Sequence, residues 1–271
     1  GAIGTPISIS STVPAVPYYT FKSELLNAPA HTGDKAYAYL PVVNQTFYLR
    51  GTYAVDQSKK SISVALPDPA FDMAYRLADT LRRLGIAVSG GPESVATLNA
   101  KEKSPGVIKT MLTTLASPQL SKIIYWLNQK SINLYAEQLL KTLTWKAGKP
   151  ASTANGVSIV QDFWKARGID VDALNIADGS GLSPGDRVTT QTIARVLQTA
   201  KAQSWFPDYF ASLPVYNNMH MKSGSINNVL AYAGYQTKNG RELCFSIIVN
   251  NYNGATAGIK QKMFRVLDEL K

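Results

Sequence analysis

The chain has 271 residues, 45% of them apolar and 17% charged, with 28 Lys+Arg against 18 Asp+Glu for a net charge of +10. That suits one or two domains with a real core and excludes a disordered chain, and no apolar run approaches the roughly 20 residues of a membrane-spanning helix. One cysteine, Cys244, and two histidines leave no internal disulfide and no usual zinc site, so no metal and no cofactor is expected.

Taken in order, the first hundred residues read mostly as strands. Residues 35–40 and 47–55 are short Tyr- and Val-rich stretches between turn residues, and 61–66 alternates polar with apolar. Asp68 then offers an N-cap and Pro69 a first helical position, with Phe71, Ala74, Leu77, Ala78, Leu81 and Leu84 on one face and Gly85 as the stop. Residues 86–88 read as a strand leaving that helix. A boundary falls near the charged, Pro- and Gly-containing segment 101–106. Beyond it, Leu120, Ile124 and Leu127, then Leu134, Leu140 and Leu143, have helical spacing. Val157, Val160, Phe163 and Trp164 give another helix, stopped by Gly168, and Thr190 caps a further one. Strands follow at 219–226, 230–238 and 241–249, the last two joined by Asn239-Gly240, a strong hairpin signal. The almost continuously apolar run 243–249 reads as a central strand buried on both faces, and a helix bearing Ile259, Met263, Val266, Leu267 and Leu270 closes the chain. The order of elements suggests an α+β fold.

The positive charge is scattered, densest at Lys59-Lys60, Arg82-Arg83 and Lys146/Lys149, with no basic stripe interleaved with aromatics. It speaks to solubility and loose association, and nucleic acid is not an expected partner; steeply salt-dependent DNA retention would be needed to support that class. The opening Gly1-Ala2-Ile3-Gly4-Thr5 is not a signal peptide. A mature exported chain and a cytoplasmic one both read this way, and the absence of a start methionine fits a trimmed chain.

Three stretches carry chemistry. In Lys130-Ser131-Ile132-Asn133-Leu134-Tyr135-Ala136-Glu137, an unbroken helix would point Ser131 and Asn133 about 200° apart. For both to reach one pocket, the helix must break near Lys130. In Met221-Lys222-Ser223-Gly224-Ser225, an ammonium and a hydroxyl suit a carboxylate, a glycine admits a backbone close to the strand, and the following N–H suits an oxyanion. The third, residues 178–189, is a polar loop holding Gly181-Leu182-Ser183-Pro184-Gly185. It lacks the strand-to-helix context of a nucleophile elbow, so an esterase built on Ser183 and His220 is disfavoured and the loop reads as structural.

Together these stretches resemble the class-C low-molecular-mass penicillin-binding proteins, serine D-alanyl-D-alanine carboxypeptidases and endopeptidases of peptidoglycan. Ser131-Ile132-Asn133 resembles that family's second motif, Asp178-Gly179-Ser180-Gly181-Leu182-Ser183 its signature loop, and Lys222-Ser223-Gly224-Ser225 its Lys-Thr-Gly strand, with Ser for Thr. The likeness runs over about residues 106–271. Residues 1–105 are more loosely similar, through Tyr48-Leu49-Arg50-Gly51 and the Pro67-Asp68-Pro69 helix start, to the end of the family's inserted domain.

The resemblance implies a helical cluster and antiparallel sheet of the penicillin-binding/β-lactamase type, incomplete, preceded by a smaller mostly β domain. It implies that Ser131 relays a proton, Asn133 binds the substrate amide, Lys222 and Ser223 hold the terminal carboxylate, Gly224 allows close approach, and the Ser225 N–H supplies half an oxyanion hole. Peptidoglycan stem peptides and β-lactams are the implied partners, and the periplasm or cell envelope the implied location. One piece is missing. No lysine in the sequence has a serine three positions before it, and the nearest imitation is Thr32-Gly33-Asp34-Lys35. The family's nucleophile and base are therefore not found, and the alternative is a non-catalytic peptidoglycan-binding protein. Because the family pairs earlier strands beside the last one, strand 241–249 is expected to expose an edge and to cover it by self-association or rearrangement.

Overall fold

The computed structural model describes residues 1–41, 44–58, 61–107 and 110–271, which fall into two units, Gly1–Thr114 and Leu115–Lys271. The division lies several residues beyond the segment at 101–106. The Lys59-Lys60 pair lies outside the described residues.

In the first unit, β1 (Thr20–Ala28), β2 (Asp34–Tyr39) and β3 (Thr46–Ala54) form a sheet ordered β1-β3-β2. β1 runs parallel to β3 and β2 antiparallel to it. Leu25 and Phe47 are buried on one face of this sheet and the paired Ala28 and Ala54, at the strand ends, on the other. Helix α1 (Pro69–Arg83) starts as its sequence dictates: the Asp68 carboxylate accepts from the Phe71 N–H at 2.9 Å, and Pro69 occupies the first turn, where no N–H is needed. Gly85, at φ +77°, takes the left-handed position just past the end. A short helix α2 (Val95–Asn99) follows, opened by a Ser94/Thr97 capping box. Two expected strands are absent. Residues 61–66 and 86–88 are irregular, because alternation over so few residues needs a neighbouring strand to pair with and none pairs with them among the described residues.

The second unit begins with helices α3 (Leu120–Lys130), α4 (Asn133–Lys146) and α5 (Thr153–Lys165). A two-stranded piece, β4 (Leu174–Asn175) with β5 (Arg187–Val188), brackets the polar loop. Helix α6 (Thr190–Lys201) is capped by Thr189 rather than Thr190: the Thr189 hydroxyl accepts from the Thr192 N–H at 3.1 Å. A short helix α7 (Phe206–Ser212) leads to an antiparallel meander, β6 (Val215–Tyr216), β7 (Met219–Ile226), β8 (Val229–Lys238) and β9 (Arg241–Asn250), and then to α8 (Thr256–Asp268). The β8–β9 turn has Asn239 and Gly240 both at positive φ, the geometry that matches strand twist in a two-residue hairpin.

Each face of this sheet is covered. Met219, Met221, Leu230, Tyr232 and Phe245 pack with Met263 and Leu267 of α8. On the opposite face Tyr235 packs with Leu197 of α6 and with Leu213, and its hydroxyl donates to the Leu197 carbonyl at 2.9 Å. The run 243–249 is nevertheless not central. β9 ends the sheet order, and of that run only Phe245 is fully buried. Its apolar residues answer helices on both faces, while among the described residues the strand itself has a neighbour on one side alone.

Candidate functional site

Helix α3 stops at Ser131, which takes the left-handed conformation at φ 51°, ψ 53°. Ile132 is extended, and Asn133 opens α4. The break that a common site requires is therefore present. Polar side chains that satisfy backbone groups locally tolerate such a joint better than a helix interior.

Across from the joint lies β7. The Lys222 Nζ donates to the Ser131 Oγ at 2.9 Å and to the Ser223 carbonyl at 2.8 Å, linking positions 91 residues apart in sequence. Burial pushes the Lys222 ammonium below the ordinary lysine range. An ammonium has three N–H donors, so one remains for a ligand. Ser131 accepts from lysine and keeps its own hydroxyl hydrogen to donate.

β6 pairs with Met219 and His220, so among the described residues β7 from Lys222 onward is paired on one side alone, by β8. The Met221 N–H points to the β6 side, where it donates to the Pro214 carbonyl at 2.9 Å. Alternate residues of a strand send their N–H groups the same way. Those of Ser223 and Ser225 therefore face the open edge. Gly224 and Ser225 are exposed, as is Asn133, whose side chain makes no hydrogen bond among the described residues.

The polar loop earns a place that the sequence did not assign to it. Glu137, one turn into α4, accepts from the N–H groups of Gly179 and Ser180 at 2.9 and 3.0 Å. A Cβ on Gly179 would lie 2.8 Å from the Ala136 carbonyl oxygen, so the loop backbone rests directly on α4. Asp178 turns the loop. Burial pulls its carboxyl upward, but bonds from the N–H groups of Gly181 and Ser183 and from the Ser180 hydroxyl outweigh that and hold it below the usual range. Asp186 goes the other way: burial, then the neighbouring Asp178 charge, raise it, and its Oδ2 is buried without a partner. Only the 178–189 motif hinted at this arrangement, because Glu137 and Gly179 are 42 residues apart.

Ser183 accepts from the Gly185 N–H, and His220 stacks on Phe210 with ring centroids 4.2 Å apart. Neither contact joins Ser183 to His220, and Ser183 sits on no strand-to-helix turn. A cavity of about 550 Å³, lined by Gln161, Asp162, Lys165 and Arg187 among others, includes none of Ser131, Asn133, Lys222, Ser223, Gly224 and Ser225.

A family model described as D-Ala-D-Ala carboxypeptidase 3 (S13) matches residues 3–218, which includes Ser131, Asn133 and the polar loop and stops just short of Lys222. The chain is 26% identical over 235 residues to a D-alanyl-D-alanine carboxypeptidase of Actinomadura sp. (strain R39), covering 79% of this chain and 43% of that one. It is also 26% identical over 256 residues to the D-alanyl-D-alanine carboxypeptidase DacB of Haemophilus influenzae, covering 86% and 52%. The chain thus spans about half the length of the curated relatives it matches. The crystal structure of Haemophilus influenzae penicillin binding protein 4 (dacB), complexed with a novel beta-lactam, shares the fold with a TM-score of 0.77 at 21% identity, over 100% of this chain and 66% of that one.

Proposed function

Because the chain belongs to the D-Ala-D-Ala carboxypeptidase 3 (S13) family, we propose that its second unit carries the substrate-holding part of a serine D-alanyl-D-alanine carboxypeptidase/endopeptidase site for peptidoglycan stem peptides. The observation that carries this reading is the Lys222–Ser131 hydrogen bond. It joins the helix joint to the strand bearing the Lys-Ser-Gly-Ser run.

The roles are those that the family resemblance implies, and the donors and acceptors of these side chains suit them. The spare Lys222 N–H and the Ser223 hydroxyl bind the terminal D-alanine carboxylate as charge-assisted partners. Asn133 offers both an acceptor and donors to the substrate amide. The Ser225 N–H, on the open edge of β7, faces the carbonyl oxygen where negative charge develops. In acyl transfer a serine oxygen bonds to the D-alanyl carbonyl carbon, and the amide C–N bond breaks. The departing amine takes its proton through Ser131, and water later hydrolyses the ester. No serine three residues before a lysine is present in these 271 residues to supply the first of those groups. Residues 1–105 then correspond to the end of the inserted domain and 106–271 to the last part of the catalytic domain. Peptidoglycan as substrate places the protein in the periplasm or cell envelope.

The test separates holding from acylation. N-acyl-D-Ala-D-Ala should bind this chain, and Lys222→Met should weaken binding about 10- to 100-fold, the worth of a hydrogen bond to a charged group. Mass spectrometry after penicillin exposure should show no added mass. No binding by the unmutated chain would refute the site, and a stoichiometric, hydroxylamine-sensitive adduct would refute the missing nucleophile. Binding without any acylation in the whole protein would favour a non-catalytic peptidoglycan-binding protein.

A further inference from the structure

The joint that presents Ser131 has little of its own to hold it. Ser131 is exposed, and α4 starts without a side-chain cap. Three residues earlier, Asn128 is buried, and its Nδ2 donates to the Ser212 Oγ at 2.7 Å. The next side chain, Gln129, donates through Nε2 to the Ser212 carbonyl at 3.0 Å. Ser212 is fully buried, and its own hydroxyl donates to the Tyr209 carbonyl at 2.6 Å. Its side-chain oxygen and its carbonyl thus both hold the end of α7 against the last turn of α3.

From Ser212 the chain passes through buried Leu213 to Pro214, whose carbonyl accepts from the Met221 N–H at 2.9 Å. Met221 is fully buried and immediately precedes Lys222, whose Nζ returns to Ser131 at 2.9 Å. These contacts close a ring: the end of α3, Ser212, Pro214, β7, Lys222, Ser131, and α3 again. Every link except the last is buried or made by backbone. The last is also the one joining the two groups assigned to substrate.

We propose that Asn128 and Gln129 are positioning residues, mooring the last turn of α3 to Ser212 so that Ser131 and Lys222 stand at hydrogen-bond distance before substrate arrives. The consequence for ligand affinity rests on the reading of Ser131 and Lys222 as one site, whereas the geometric claim does not. Preset geometry matters because displacement of about 1 Å between acting groups can cost up to about 100-fold.

The test is a cycle on the chain itself. The side-chain ¹³Cε and ¹⁵Nζ resonances of Lys222 report its bond to Ser131, and Ser131→Ala should shift them. N128A/Q129A leaves the Ser212 hydroxyl still donating to Tyr209, so no buried donor is orphaned there. It should shift the Lys222 resonances as Ser131→Ala does, and adding Ser131→Ala should then change nothing more. Affinity for N-acyl-D-Ala-D-Ala should fall about tenfold while the β7–β8 amide spectrum is retained. If N128A/Q129A fails to fold, Gln129→Met removes one donor at similar volume and should give a smaller shift in the same direction. Lys222 resonances unchanged in the folded variants would overturn the proposal. Shifted resonances in a chain that never binds the dipeptide would uphold the mooring and refute the site.

Discussion

Gly224 and Asp186 show two kinds of single-residue constraint. Apart from its chain neighbours, no atom of the described residues lies within 4 Å of the place a Gly224 Cβ would occupy. Nothing in the fold demands glycine there, whereas a ligand backbone lying along the edge of β7 would. Gly224→Ala should therefore leave the melting temperature unchanged or slightly raised and weaken N-acyl-D-Ala-D-Ala binding, read by calorimetry of both. A fall in stability with intact affinity would reverse that assignment. Asp186 is constrained from inside. Its folded-state pKa is raised, first by burial, so the native chain binds its proton more tightly than the unfolded chain does. Its contribution is present below the unfolded value, about 3.9, and is lost as pH rises through the folded one. Asp186→Asn keeps the acceptor for the Ala177 N–H and removes the charge. The variant should melt no lower than the parent at pH 7, with a flatter profile above about pH 4. A parent–variant difference independent of pH would contradict this.

Among the elements, α4 and the polar loop depend on one another. Glu137 and the Gly179 backbone bring the 178–189 segment onto the first turns of α4, next to the joint at Ser131. Gly179→Ala would put a methyl 2.8 Å from the Ala136 oxygen, between two backbones with no flexible side chain to give way. It should cost about 1–3 kcal/mol, the range for overpacking, measured by denaturant unfolding. A cost near zero would mean that the loop is not seated there. The helix and turn signals were legible in sequence because they are local: Asp68 with Pro69, Gly85, and Asn239-Gly240 each act within a few residues. The alternating segment 61–66 misled because alternation becomes a strand only when a partner is in reach. The cap of α6 was read one residue late because Thr189 and Thr190 are chemically alike, and backbone direction alone tells them apart.

For the whole molecule, the open question of physics is the outer side of β9, a ten-residue strand with no further neighbour among the described residues. Such an edge is a template for pairing. Sedimentation of this chain should give a mass above the monomer, with exchange-protected amides over 243–249. A clean monomer with those amides protected would argue instead for rearrangement. The apolar run had suggested a central strand, since composition reports which faces are covered but not which sides are hydrogen-bonded. The same distinction runs through the site. Residue order singled out Ser131, Asn133 and the Lys222–Ser225 run through their likeness to one family's motifs, made a helix break near Lys130 the condition for the first two to share a pocket, and showed no Ser-x-x-Lys, because motif spacing and backbone preference are properties of neighbours in the chain. That Lys222 reaches Ser131, that Glu137 seats the polar loop, and that Ser212 anchors α3 came from folding, because each joins groups tens of residues apart whose meeting depends on how helices and sheet pack.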